Sequence, residues 1–251
     1  MERITSRKNP LLVQIRRLVS SRGARRSAGM FLGDGVKLLE EALKWGAPLE
    51  TVVYSEGLDG PELPPEVRTV RVPEDVMASI SPMESPQGAL FLCRMWDTAP
   101  PPCLEGGRYL VLDGLQDPGN VGTIWRTADA LEADGLLLVH GCADPFGPKV
   151  VRATMGACFR LPVWETGPER LAGLLERSGL ALYATALRED TEDIKTADLS
   201  RSAVVIGSEG RGVSPELLAM SQRALKIPMR ERCESLNAAA AAAVVLWEMG
   251  R

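Results

Sequence analysis

At 251 residues, 45% apolar and 25% charged, the chain has the make-up of a globular protein of one large or two smaller domains, and its composition excludes disorder and fibrous repeats. One histidine, His140, removes Ser-His-Asp triads and multiple-histidine metal sites. The five cysteines (Cys93, Cys103, Cys142, Cys158, Cys233) include no C-x-x-C pair, which excludes a zinc knuckle or a disulfide framework. The opening MERITSRKNP lacks an apolar signal core, and no run reaches the length of a membrane span. A cytoplasmic protein with reduced thiols is expected.

Charge is uneven. Residues 1–26 hold eight Arg/Lys (Arg3, Arg7, Lys8, Arg16, Arg17, Arg22, Arg25, Arg26) against one Glu, a local +7 that leaves −11 on the remaining 225 residues of a chain of net −4. A basic arm on an acidic body predicts a polyanionic partner contacting those eight side chains, because each neutralised phosphate releases counterions. The bland alternative is a solvated, partly disordered terminus.

In chain order, NPLLVQIRRLVSS carries a helical stripe at 11, 12, 15, 18 and 19, and DGVKLLEEALKWG one at 36, 39 and 43 that stops at Gly46. ETVVYS, VRTVRV and GALFLCRM read as strands. The first 95 residues thus form a small α/β domain. WDTAPPPCLEGG (96–107) is the linker, and 108–251 the second domain. There RYLVLDGL is a strand, NVGTIWRTADAL a helix with Asn120 placed to cap it, GLLLV a strand ending near His140, and KVVRATMGA a helix. ALYAT and SAVVIGSEG are strands, SPELLAMS a helix capped by Ser214 with Pro215 first, and LKIPM a last strand. Alternation of strand and helix predicts a mainly parallel sheet covered on both faces.

Ligands on such sheets bind at the carboxyl ends of the strands. Three loops there draw attention. DGLQDPGNVGTIWRTADA (113–130) sets Arg126 on the helix face away from Val121 and Ile124. VVIGSEGRGVSPE places glycines at 207, 210 and 212, which fits neither a P-loop nor G-x-G-x-x-G, and Glu209 would repel a pyrophosphate. IPMRERCESLNAAAAAA offers Ser235 or Asn237 as cap of an alanine helix whose positive end favours a carboxylate and whose small side chains permit close approach.

Together the three loops resemble the SpoU-type branch of the SPOUT RNA methyltransferases: Asn-x-Gly-x-Ile-x-Arg-Thr-Ala at 120–128, Gly-x-Glu-x-x-Gly at 207–212, Ile-Pro-Met at 227–229 and Ser-Leu-Asn at 235–237. GPKVVRATMGACFRLPV (147–163) is similar to the family's connecting region, and the first domain, with ITSRKNP and SPQGALF, more loosely to its RNA-binding extension. The resemblance implies a trefoil-knotted α/β fold, an exception to the rule against knots, a homodimer joined through the C-terminal domain, and S-adenosylmethionine as methyl donor to a ribose 2′-hydroxyl of RNA, 23S ribosomal RNA in this branch. It implies catalytic roles for Arg126, Asn120, Glu209, Ser235 and Asn237. It gives the cofactor to Thr185, Ala186, Leu187, Ile206, Gly207, Ser208, Glu209, Gly210, Ile227, Met229, Ser235 and Leu236. No metal, DNA or membrane partner is expected. One departure is that Ser-Leu-Asn runs straight into alanine, where relatives often carry valine and serine. A transfer-RNA methyltransferase, a non-catalytic RNA-binding protein and a dinucleotide oxidoreductase are the competing readings; the last lacks its glycine fingerprint.

Overall fold

The computed structural model describes residues 2–186, 190–230, 232 and 235–251. They form two compact units, residues 1–96 with 144–159, and residues 97–143 with 160–251.

The first unit contains β1 (Glu2–Arg3), α1 (Pro10–Ser20), α2 (Arg22–Ala28), β2 (Met30–Asp34), α3 (Val36–Lys44), β3 (Leu49–Ser55), β4 (Arg68–Val72), α4 (Glu74–Ala78) and β5 (Ala89–Arg94). Its five-stranded sheet runs β1-β4-β3-β5-β2, with β5 antiparallel to both neighbours. The basic terminus is ordered, because α1 has an apolar stripe to bury. Asn9 caps it by accepting from the Leu11 amide, Pro10 opens it, and Leu11, Leu12, Ile15 and Leu18 are buried. Arg25 departs from the expected RNA-contacting set. Its side chain is 7% exposed, bonds Asp144 Oδ2 at 2.6 Å and donates to the Leu18 carbonyl. A buried guanidinium has to be paired, and here the pairing is internal. Residues 144–159 close this unit, with Phe146 against Phe31 and Trp96 at ring centroids 5.3 and 4.9 Å apart.

The second unit opens with β6 (Arg108–Asp113), α5 (Pro118–Ala130) and β7 (Gly135–Val139). After α6 (Pro148–Ala153), which belongs to the first unit, come β8 (Val163–Glu165), α7 (Pro168–Ser178), β9 (Ala181–Thr185), β10 (Glu192–Asp193), β11 (Ser202–Gly207), α8 (Pro215–Met220), β12 (Arg223–Lys226) and α9 (Ala238–Met249). The seven strands run β10-β12-β9-β11-β6-β7-β8, every pairing parallel. One face buries Tyr109, Val111, Leu137, Val205 and Leu182 against Leu171, Leu174 and Leu217 of α7 and α8. On the other, α5 and α9 pack against each other, α5 touching β7 and α9 touching β11. The alanines make this approach close: Ala238, Ala239 and Ala242 are buried.

Several elements end short of the predicted runs, two of them for reasons that the backbone shows. The helix expected over KVVRATMGA ends at Ala153, because Met155 and Gly156 have φ of 50° and 93°, which no right-handed helix accommodates. The strand expected over LKIPM ends at Lys226, since β9 and β10 offer partners only as far as Leu225 and Lys226. Cys93, Cys142 and Cys158 are buried free thiols and Cys103 an exposed one; Cys233 lies outside the described residues. No helix among the described residues is long and apolar enough to cross a membrane.

Candidate active site

Asp113 at the end of β6 is in register with Gly207 at the end of β11, so the first two loops leave the sheet side by side, while the third leaves β12, on the far side of β9 from β11. The first enters α5 three residues earlier than expected. Asp117, not Asn120, is the cap, accepting the Asn120 amide at 2.7 Å, and Pro118 takes the first helical position. An aspartate before a proline is the stronger start signal. Asn120 therefore sits inside the first turn with its carboxamide free to bond elsewhere. It donates to Glu209 Oε1.

The second loop folds back on itself. Ser208 and Gly212 exchange both backbone hydrogen bonds, at 3.1 and 2.8 Å. Gly207 is required by this pass: a Cβ there would lie 2.1 Å from the Gly212 carbonyl carbon and 2.2 Å from the Val213 nitrogen. Gly212 has φ +69°, a conformation glycine adopts without penalty.

The third loop ends at α9. Of the two candidate caps, Asn237 serves, being the residue directly before the helix, and its Oδ1 accepts the Ala239 and Ala240 amides at 3.0 and 3.3 Å. Its Nδ2 donates to Asn120 Oδ1 at 3.1 Å and to Glu209 Oε1 at 3.2 Å. Residues 120, 209 and 237 thus close a triangle of amide and carboxylate at the junction of α5, the glycine loop and α9.

Beside the triangle is a cavity of about 300 Å³, within the range of small-molecule sites. Thr185, Ala186, Ile206, Gly207, Ser208, Glu209, Ile227, Met229, Ser235 and Leu236 line it. Gly210 lies off the lining, and Leu187 lies outside the described residues. Sequence reasoning missed Gly212, Leu225, Ala238 and Ala241. The two alanines, three apart on a helix, were findable from the spacing that puts i and i+3 on one face. Because β12 stops at Lys226, Ile227–Met229 run past the cavity as irregular chain with unladdered backbone groups. Thr185 Oγ1 is already committed to the Val205 carbonyl at 2.8 Å.

Arg126 is not brought to the cavity. It is exposed on α5, six residues beyond Asn120 and so about 240° around the helix. It makes no hydrogen bond or ion pair among the described residues. Of the basic arm, Arg3 pairs with Glu56 at 2.5 Å, Arg7 with Asp75 at 2.7 Å, and Arg16 donates to the Arg7 carbonyl. Arg26 lies over the Phe146 ring, and Lys8, Arg17 and Arg22 are exposed.

The profile of the SpoU rRNA Methylase family matches residues 107–247, and that of an MRM3-like substrate binding domain matches residues 9–90. The 23S rRNA (guanosine(2553)-2′-O)-methyltransferase RlmP of Bacillus subtilis is 32% identical over 99% of both chains. A tRNA (guanosine(18)-2′-O)-methyltransferase of Thermus thermophilus is 36% identical, but over 57% of this chain and 73% of its own. The crystal structure of an AdoMet-bound rRNA methyltransferase from Sinorhizobium meliloti superposes with a TM-score of 0.86 at 31% identity, covering 99% of this chain and 97% of that one. With the family profile spanning more than half its length and the three motif loops joined around one cavity, the chain belongs to the SpoU rRNA methylase family.

Proposed function

We propose that this chain transfers a methyl group from S-adenosylmethionine to a ribose 2′-hydroxyl of 23S ribosomal RNA. The observation that carries the reading is the triangle of Asn120, Glu209 and Asn237 at the rim of the 300 Å³ cavity. A fold serving only to bind RNA has no need to tie three loops, distant in sequence, around a pocket.

The cavity suits the cofactor. Ile206, Leu225, Ile227, Met229 and Leu236 give an apolar wall for an adenine. The Ser208 and Ser235 hydroxyls and the α9 N-terminus are the polar groups that would orient the ribose and carboxylate. When bound, the cofactor supplies the methyl group and its own leaving group. The protein's part is to place the hydroxyl in line and stabilise its developing negative charge. Arg126 is always protonated, so we assign it that electrostatic role. Glu209, held by two amides, is an acceptor fixed in place to orient the hydroxyl.

Arg126 lies off its own chain's cavity, which supports a homodimer through the C-terminal domain in which a second copy completes the site. Trp247, 63% exposed near the end of α9, is the apolar contact this dimer buries. Trp247→Ala is expected to shift the sedimentation coefficient to that of a monomer and to abolish methyl transfer. The trefoil knot and a cytoplasmic location belong to the same reading. Residues 1–95 serve as the RNA-binding domain, 96–107 as linker and 108–251 as the methyltransferase domain, of which 144–159 pack into the first unit. Arg3, Arg7, Lys8, Arg16, Arg17, Arg22 and Arg26 are the RNA-contacting set that remains without Arg25. Ribosomal rather than transfer RNA is supported by the substrate-binding profile over 9–90 and by the short reach of the match to the tRNA enzyme.

The test is label transfer from methyl-tritiated S-adenosylmethionine to unmodified 23S and transfer RNA, with Arg126→Ala alongside. Ribose-2′ label on 23S RNA, lost by at least about 100-fold in the variant, is expected. Equal labelling of transfer RNA overturns the substrate, and no label on either RNA overturns the activity.

A further inference from the structure

His140, the chain's one histidine, has no place among the residues above, yet it is bonded to two carboxylates. It follows β7 directly, as the sequence predicts, and adopts φ +52°, a conformation that an L-residue holds when its surroundings fix it. Its Nδ1 is 2.6 Å from Asp113 Oδ1 and its Nε2 3.3 Å from Glu216 Oε2, in the first turn of α8. The Asp113 side chain is 4% exposed, and its other oxygen accepts the Ser214 amide at 2.6 Å. Ser214 is both the end of the glycine loop and the cap of α8.

These groups border a second cavity, of about 780 Å³, that shares Ser208, Glu209 and Gly212 with the first. The glycine loop is thus the partition between two spaces. One end is fixed by β11, the other by Asp113 and α8, and His140 is bonded to both parts of that second anchor.

We infer that His140 is a positioning residue for methyl transfer: held between Asp113 and Glu216, it fixes the far end of loop 208–214 and with it Glu209 and one wall of the cofactor cavity. This rests on the proposed function.

The arrangement makes the loop sensitive to pH. The hydrogen bond to Asp113 raises the His140 pKa above the ordinary imidazole value, burial opposes this, and the charges of Asp113 and Glu216 add to the rise. Other charged groups lining the same cavity are Glu209 and Arg211 of the loop itself; Gln116, also there, donates to the Gly141 carbonyl at 2.7 Å. With the folded value raised, the clamp is complete below the ordinary imidazole range and is lost as pH rises through the raised pKa. If the clamp shapes the cofactor wall, cofactor binding and protonation of His140 favour each other reciprocally.

A lone histidine makes the test clean, since its ring resonances need no assignment by mutation. The intact protein, labelled at histidine, is titrated by NMR with and without S-adenosylhomocysteine, and the affinity for that compound is measured calorimetrically from pH 6 to 8.5. Expected are a pKa above about 6.5 that rises further on binding, and an affinity that weakens toward high pH by up to about threefold for each half unit of that rise. His140→Gln removes this pH dependence. Glu216→Gln lowers the histidine pKa and weakens the dependence, a second reading should His140→Gln melt early. A pKa that does not move on binding, with all three proteins showing the same pH dependence, overturns the inference and leaves the proposed function standing. No binding at any pH overturns the proposed function and the inference with it.

Discussion

Replacing Gly207 by alanine separates a glycine needed for chain packing from one that is merely present in a loop. A Cβ at 207 would lie 2.1, 2.2 and 2.4 Å from the Gly212 carbonyl carbon, the Val213 nitrogen and the Gly212 oxygen. All three are backbone atoms and cannot rotate away. To restore ordinary contact at 3.4 Å the two limbs of the loop must part by about 1.3 Å. The Ser208–Gly212 pair, now at 3.1 and 2.8 Å, would stretch past 4 Å, beyond hydrogen-bonding range. Overpacking of this kind costs about 1–3 kcal/mol. Borne by the closed loop alone, that lowers cofactor affinity roughly 5- to 150-fold, at 1.4 kcal/mol per decade. Gly210→Ala is the control: nothing lies within 4 Å of its Cβ, and its φ is outside the left-handed region. Calorimetric titration with S-adenosylhomocysteine is expected to find Gly210→Ala within about twofold of the parent and Gly207→Ala in the weakened range. Wild-type affinity in Gly207→Ala, or a greater loss in Gly210→Ala, would refute the reasoning, since the glycines would then be serving the ligand rather than the backbone crossing.

Arg25→Met leaves Asp144, 9% exposed, without its closest partner. Breaking a buried ion pair costs about 3–5 kcal/mol, so urea denaturation should show the loss while RNA affinity measured on the folded protein is unchanged. Asn237→Ala removes the α9 cap and two of the three bonds of the triangle. A fall of about 1 kcal/mol in unfolding free energy is expected. Asn237→Ser, which keeps a capping oxygen, should restore stability in the same denaturation series but not methyl transfer.

Most of the longer strands were the legible part of this chain; the short β1, β8 and β10 were not read from it. Runs such as 109–112 and 135–139 are apolar throughout because both faces of a parallel sheet are covered. The site was legible through residue types at fixed spacing. Element ends were less so, because neighbouring signals compete: Asp117-Pro118 outranks Asn120 as a helix start, and Gly156, a readable stop, lies behind Met155, whose left-handed backbone nothing in the sequence announces. The sinking of Arg25 could not be read, since its partner Asp144 is 119 residues away and nothing local links them. For the same reason nothing foretold that residues 144–159 would join the first unit.

The alanine run shows how one short stretch answers to two demands at once. Ala238 and Ala241 face the cofactor cavity, whereas Ala242, fully buried, lies on the side of α9 that packs within the fold. Position 238 is both buried and lining, so the helix begins at the corner where the faces meet. Adjacent positions should therefore fail in different ways when enlarged. Ala241→Leu projects its added carbons into a space of only about 300 Å³. It should abolish cofactor binding with little change in melting temperature, since the cavity can hold the side chain without strain. Ala242→Leu has no space to enter and pushes α9 from its packing, a cost of about 1–3 kcal/mol. That variant should melt earlier, with its cofactor affinity falling only as far as α9 is displaced. Paired thermal melts and titrations read both quantities on each protein. Equal destabilisation by the two leucines would mean that helix propensity, in which alanine exceeds every other residue, explains the run, and that close approach does not.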